Sequence, residues 1–210
     1  MTDNPKRRWY QYSLRSMFIL TTLFAIACSW YAYEGRKTAK VRAAIAEIEK
    51  LGGKANYSYD AERDTFRLFL DTSDAGLVHL KGLANLNQLY LTSTQITDAG
   101  LVHLKGLTSL ETLDLQGTQV TDAGMLHLKG LTKLERLGLT NTQITDAGLV
   151  HLKGLTNLKW LYLDLTQGTD AGLVHLKDLT NLEKLWLSTQ ITDEGVRKIQ
   201  EALPNCKIIH

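Results

Sequence analysis

Thr145-Asp146-Ala147-Gly148-Leu149-Val150-His151-Leu152-Lys153-Gly154-Leu155-Thr156 recurs almost letter for letter along the chain. Its aspartate returns as Asp74, Asp98, Asp122, Asp146 and Asp170, 24 residues apart each time, and again as Asp193, one residue short. Between copies runs a second pattern, Leu-x-x-Leu-x-Leu-x-x-Thr-x-Ile, as in Leu86, Leu89, Leu91, Thr94 and Ile96. A unit this small cannot bury its own apolar face, so it must stack on its neighbours. A fixed period in the twenties therefore predicts a solenoid.

Within Leu-x-x-Leu-x-Leu the last two leucines share one face of a short strand, because strand side chains alternate. The inward pairs are Leu89/Leu91, Leu113/Leu115, Leu137/Leu139, Leu161/Leu163 and Leu185/Leu187. The next segment spaces leucines three apart, as in Leu101, Leu104 and Leu107, which is a helical stripe facing the same core. The aspartate of Thr-Asp-Ala-Gly stands just before the helical turn, where a carboxylate accepts free amide N–H groups and complements the helix dipole. His79, His103, His127, His151 and His175 form a second column, each followed two positions on by a lysine, and read as a solvated lateral face. Neither column reads as a metal site: the aspartates lie a whole repeat apart, and the lysines disfavour a cation beside the histidines. One repeat is irregular. Gly168 replaces the Ile or Val found at positions 96, 120, 144 and 191, and Leu165 stands where Ser93, Gly117 and Asn141 stand elsewhere. Leu165 is expected to refill part of the space that Gly168 leaves.

Hydrophobic residues make up 44% and charged residues 22% of the chain, which argues against disorder. A net charge of +2 is too small to imply nucleic acid as a partner. Pro5 and Pro204 both flank the repeats, so no proline interrupts a ladder. Cys28 and Cys206 form no disulfide framework, and Cys206 reads as a small buried hydrophobe in the last coil. The chain has no Gly-x-Ser-x-Gly, His-Glu-x-x-His, phosphate-binding glycine loop or Cys-x-x-Cys. No catalytic site, metal or cofactor is predicted.

Ser16 to Tyr33 is uncharged and apolar, 18 residues long, with Trp9, Tyr10 and Tyr12 before it and Trp30, Tyr31 and Tyr33 at its end. That length and those aromatic borders predict a transmembrane helix. Lys6, Arg7, Arg8 and Arg15 on one side balance Arg36, Lys37, Lys40 and Arg42 on the other. The short basic leader resembles an export signal, which places the N-terminus in the cytoplasm and the repeats on the extracytoplasmic side. Two alternatives remain at this point: Ala25-Ile26-Ala27 has the form of a signal-peptidase site, and Ala25 to Cys28 resembles a weak lipobox. Val41, Ile45, Ile48 and Leu51 then mark a helix that Gly52-Gly53 ends. Tyr57 and Tyr59, followed by Phe66, Leu68 and Leu70, alternate as two strands joined around Asp60–Asp64, the second beginning the solenoid sheet.

The array from Phe66 to His210 resembles leucine-rich-repeat proteins with the Ile-Thr-Asp-x-Gly-Leu signature, shared by bacterial repeat proteins and F-box substrate receptors. The leader Arg8 to Ser16, the apolar segment, Leu51-Gly52-Gly53 and the ending Leu203 to Ile208 are similar to membrane-anchored bacterial members. No F-box precedes the repeats, so no ubiquitin-ligase role is implied. The expected fold is α/β: a right-handed leucine-rich-repeat solenoid, with a parallel sheet on the concave side, short helices on the convex side and one N-terminal transmembrane helix. The expected division is a cytoplasmic leader over 1–15, an anchor over 16–34, a juxtamembrane helix over 35–55 and the repeat domain with its C-terminal cap over 56–210.

Two functions fit such a chain: a membrane-anchored module holding a protein or glycan on its concave sheet, or a structural envelope protein whose repeats self-associate. For the first, the residues alternating with the inward leucines form the surface. Their central column reads Phe69, Tyr90, Asp114, Gly138, Tyr162 and Trp186. Trp160, Tyr162 and Trp186, with Arg136, Asp164 and Lys184 around them and Tyr90 further along, are the predicted binding residues. Three rings of roughly 150–250 Å² each make this the largest candidate patch. Stacking that merely stabilises the strands, or cover by Ile208 and His210, is the structural alternative.

Overall fold

The computed structural model describes Phe24, Gly35, residues 38–60 and residues 62–210. The predicted transmembrane segment over 16–34, the basic leader and the processing motifs at 25–28 lie outside the described residues. Among the described residues, no helix is long and apolar enough to cross a membrane.

Residues 38–50 are helical (α1), and Ala44, Ile45 and Ile48 are buried. Leu51 was expected to continue their stripe but is 55% exposed. The helix stops first: Gly52 adopts φ +81, and the Gly53 N–H donates back to the Ile48 carbonyl at 3.1 Å. Leu51 thus sits in the terminating turn.

An antiparallel pair follows, β1 (Lys54–Asp60) with β2 (Thr65–Asp71), as the alternation predicts. From β2 onward every pairing is parallel: β3 (Leu86–Tyr90), β4 (Thr112–Asp114), β5 (Arg136–Gly138), β6 (Trp160–Tyr162), β7 (Lys184–Trp186) and β8 (Lys207–Ile209). The sheet keeps chain order throughout, one strand per coil. The inward leucine pairs are buried in every coil, as are the helical stripes behind them. One buried polar column crosses this core without cost. Thr94, Thr118, Thr142 and Thr166 donate their hydroxyls to the carbonyls of Leu91, Leu115, Leu139 and Leu163 at 2.7, 2.6, 2.6 and 2.7 Å, so no buried oxygen is left unpaired.

Opposite the sheet stand four-residue helices: α2 (Asp74–Leu77), α3 (Asp98–Leu101), α4 (Asp122–Met125), α5 (Asp146–Leu149) and α6 (Asp170–Leu173), then the longer α7 (Asp193–Ala202). Their caps correct the sequence reading. Threonine, not aspartate, caps these helices from α3 onward. Thr97, Thr121, Thr145 and Thr169 accept the N–H two residues on, and Thr192 accepts that of Gly195.

Each aspartate instead reaches the next coil. Asp122 Oδ1 accepts the Thr145 N–H at 2.8 Å and its Oδ2 accepts the Thr145 hydroxyl at 2.6 Å. Asp74, Asp98, Asp146 and Asp170 hold Thr97, Thr121, Thr169 and Thr192 in the same way. This carboxylate also explains the glycine two residues after each later aspartate. A Cβ on Gly148 would press into Asp122 Oδ1 and come within 2.9 Å of Ile144 Cγ2. Glycine is required here by a neighbouring coil's side chain.

Two further expectations change. The histidines are half-buried rather than solvated, and the Nδ1 atoms of His127, His151 and His175 are buried without a hydrogen-bond partner. Leu165 does not refill the gap at Gly168. It is 67% exposed and holds φ +53, the left-handed turn position that Ser93, Gly117 and Asn141 occupy in their own coils. Gly168 is buried, and a Cβ there would meet only ordinary contacts, 3.6 Å from Leu149 Cδ1 and 3.8 Å from Asp146 Oδ1.

Candidate functional site

Because the strands are in register without slips from β3 to β8, the outward side chains form straight rows. One row runs Gln88, Thr112, Arg136, Trp160, Lys184 and Lys207, and the next runs Phe69, Tyr90, Asp114, Gly138, Tyr162, Trp186 and Ile209. Neighbouring strands stand about 4.8 Å apart, the distance that lets flat side chains in a row lie face to face.

The predicted residues come together, but as two separate ladders. Trp160 lies between cations: the Arg136 guanidinium carbon is 4.2 Å and Lys184 Nζ 5.0 Å from its ring centroid. Those two residues stand on the strands either side of it, so both ring faces are engaged in cation–π contact. Trp160 Nε1 also donates to Glu183 at 3.4 Å. In the adjoining row Tyr162 and Trp186 stack at 4.1 Å with an interplanar angle of 16°. Trp160, Tyr162 and Trp186 are all half-buried, so the open ring surface falls short of three free side chains. Ile209, rather than the expected Ile208, is the strand partner of Trp186. His210 turns away and bonds the Ile191 carbonyl at 2.7 Å.

Tyr90 stands apart from this cluster. Its ring stacks on Phe69 at 4.5 Å and 9°. Between the two stacked pairs lie Asp114 and Gly138, and there the surface dips. A depression of about 200 Å³ is lined by Tyr90, Thr112, Asp114, Gln116, Arg136, Gly138, Thr140, Trp160 and Tyr162. Its floor is open because Gly138 has no side chain; a Cβ there would lie 2.6 Å from Asp114 Oδ1. Asp114 accepts the Gln116 N–H at 3.0 Å, and Asp164 accepts the Thr140 hydroxyl at 3.4 Å. Burial pushes the Tyr162 hydroxyl up from its ordinary value, Arg136 pulls it down, and Asp114 and Asp164 push it up again.

Sequence reasoning named the aromatics and the charges beside them but passed over Asp114, Gly138, Thr140 and Gln116 as site residues. The signal was present as a lone glycine in a row otherwise of large or charged side chains. The lining holds one carboxylate and no histidine, cysteine, serine or lysine, so it offers no base-activated nucleophile. Among the described residues no three His, Cys, Asp or Glu side chains are grouped to hold a metal ion.

This architecture of stacked strand–helix coils defines a class, and the comparisons agree with it. A family model for leucine-rich repeats in two copies matches residues 108–155, and a single-repeat model matches residues 82–104. The chain belongs to the leucine-rich-repeat family. Among solved structures it is similar to internalin C2 (inlC2) of Listeria monocytogenes, at 31% identity and TM-score 0.52, over 70% of this chain and 70% of that one. It is also similar to an internalin (inlF) of the same organism, at 29% identity and TM-score 0.53, over 63% of this chain. The match spans only 36% of the length of that second internalin. No curated protein matches the chain.

Proposed function

We propose that this chain is a non-enzymatic binding protein that holds a protein partner on the outer face of its sheet, at the notch between Tyr90 and Tyr162. The observation that carries the reading is the interruption of the outward row at Gly138. It leaves one face of the Tyr162 ring without a neighbour in its row, beside a carboxylate and several unburied hydrogen-bonding groups. Solenoids present such faces as extended binding surfaces, and interfaces centre on aromatic anchors in pockets. The apolar segment over 16–34 holds the repeats at a membrane in this reading, with the basic leader in the cytoplasm and the repeats on the other side. That part rests on the sequence.

The test is site-specific photo-crosslinking in the native membrane. A photoreactive phenylalanine at position 162 should give a discrete adduct with another protein, whereas the same group at Lys105, on the lateral face, should give none. Adducts with copies of this chain alone would establish the self-associating alternative. Equal adducts at both positions would remove the notch as the site.

A further inference from the structure

We propose that the notch receives a basic side chain, lysine or arginine, presented by the partner protein. This rests on the outer face being the binding surface, and adds the chemistry that it selects. Tyr90 is covered on one face by Phe69 and Tyr162 on one face by Trp186. The uncovered faces look toward each other across Asp114 and Gly138, three strand spacings apart, or about 14 Å. Less the thickness of the rings, that gap admits one strand or one helix of about 10 Å. Aromatic faces carry negative quadrupole potential and attract cations.

The charges around the gap point the same way. Asp114 leans over the Gly138 floor, and Asp164 flanks Tyr162 closely enough to act on its hydroxyl. Neither carboxylate has an ion pair among the described residues. Arg136, the one cation lining the notch, is held flat on Trp160. An incoming cation therefore meets two uncompensated carboxylates beyond Arg136 and is directed away from the Trp160 side. An incoming carboxylate would have Arg136 alone, shared with Trp160, and two like charges facing it.

The full chain, labelled with 15N-glycine and held in detergent micelles, reports on the floor directly through the Gly138 amide. N-acetyl-arginine methylamide should shift that signal saturably, and its norleucine and glutamate counterparts should not. The substitution Asp114→Asn should weaken the arginine probe about tenfold, as expected for losing one charge-assisted contact. Unmoved signals from the other glycines would show that the variant is folded. A Gly138 signal that ignores the arginine probe overturns the proposal. So does an equal response to the norleucine or glutamate probe, or to methyl β-glucoside, although such a response would leave the face itself as a binding surface. Failure of the surface reading is seen separately, in the crosslinking.

Discussion

The link between Asp122 and Gly148 allows a quantitative test of how the coils are joined. Asp122 accepts two hydrogen bonds from Thr145 in the next coil, at 2.8 and 2.6 Å. Bonds to a charged group contribute about 1.5–3 kcal/mol each. Since this pair is only part-buried and water can replace some of it, Asp122→Ala should cost roughly 2–4 kcal/mol. Gly148→Ala sets a methyl into Asp122 Oδ1, with Ile144 Cγ2 at 2.9 Å on another side. The carboxylate cannot retreat without breaking its bonds to Thr145. Overpacking of this kind costs about 1–3 kcal/mol, and displacing the aspartate adds part of its own loss, so the single variant should lose about 3 kcal/mol. With Ala at 122 the obstacle is gone, and alanine is favoured over glycine in a helix by about 1 kcal/mol, which offsets the remaining contact with Ile144. The double variant should thus be only slightly worse than Asp122→Ala, a coupling of about 2 kcal/mol. Urea denaturation of the unit Ala43–His210, followed by circular dichroism, measures all four corners, provided the m-values agree. Additive losses, within about 0.5 kcal/mol, would falsify the claim that this glycine exists to admit the aspartate.

Other expected outcomes use the same measurement. Gly168→Ala should stabilise by about 1–2 kcal/mol, from reduced unfolded-state freedom and one buried methyl; a loss would mean that the space beside Leu149 is not open. Leu165→Gly should gain about 1 kcal/mol, because it relieves a left-handed backbone at an exposed side chain. No gain would show that Leu165 makes compensating contacts. Stability should also fall on mild acidification. Burial, then Lys105 and Lys129, hold His127 and His151 below the ordinary value of 6.5, against the opposing pull of Asp98 and Asp122. Below that value the unfolded chain takes up protons that the folded chain does not, so stability drops as pH falls through 6.5 and levels off below the folded values. Replacing both histidines with Gln should flatten the urea midpoint between pH 7.5 and 5, and an unchanged slope would assign it to other groups.

The sequence by itself determined the number of coils, the strand and helix within each, and which leucines face inward. These follow from spacing alone: periods of 2, 3 and 24 residues state which side chains share a face, whatever lies next to them. It also determined the straight rows on the sheet, because identical repeat lengths force an unshifted register. What a row does depends on lateral neighbours 23 or 24 residues away, and only the tertiary structure decided that. Asp122 has the composition of a helix cap, yet its partner Thr145 becomes visible only when two coils are stacked. Leu165 resembles a space-filler until its φ shows that it occupies a turn. Trp160, Tyr162 and Trp186 were legible as a cluster, but not that cations cover both faces of the first while the other two cover each other. Gly138 reads as a small residue in a strand; that its absent side chain opens a notch between two stacked pairs depends on the 4.8 Å spacing of strands, which no single repeat encodes.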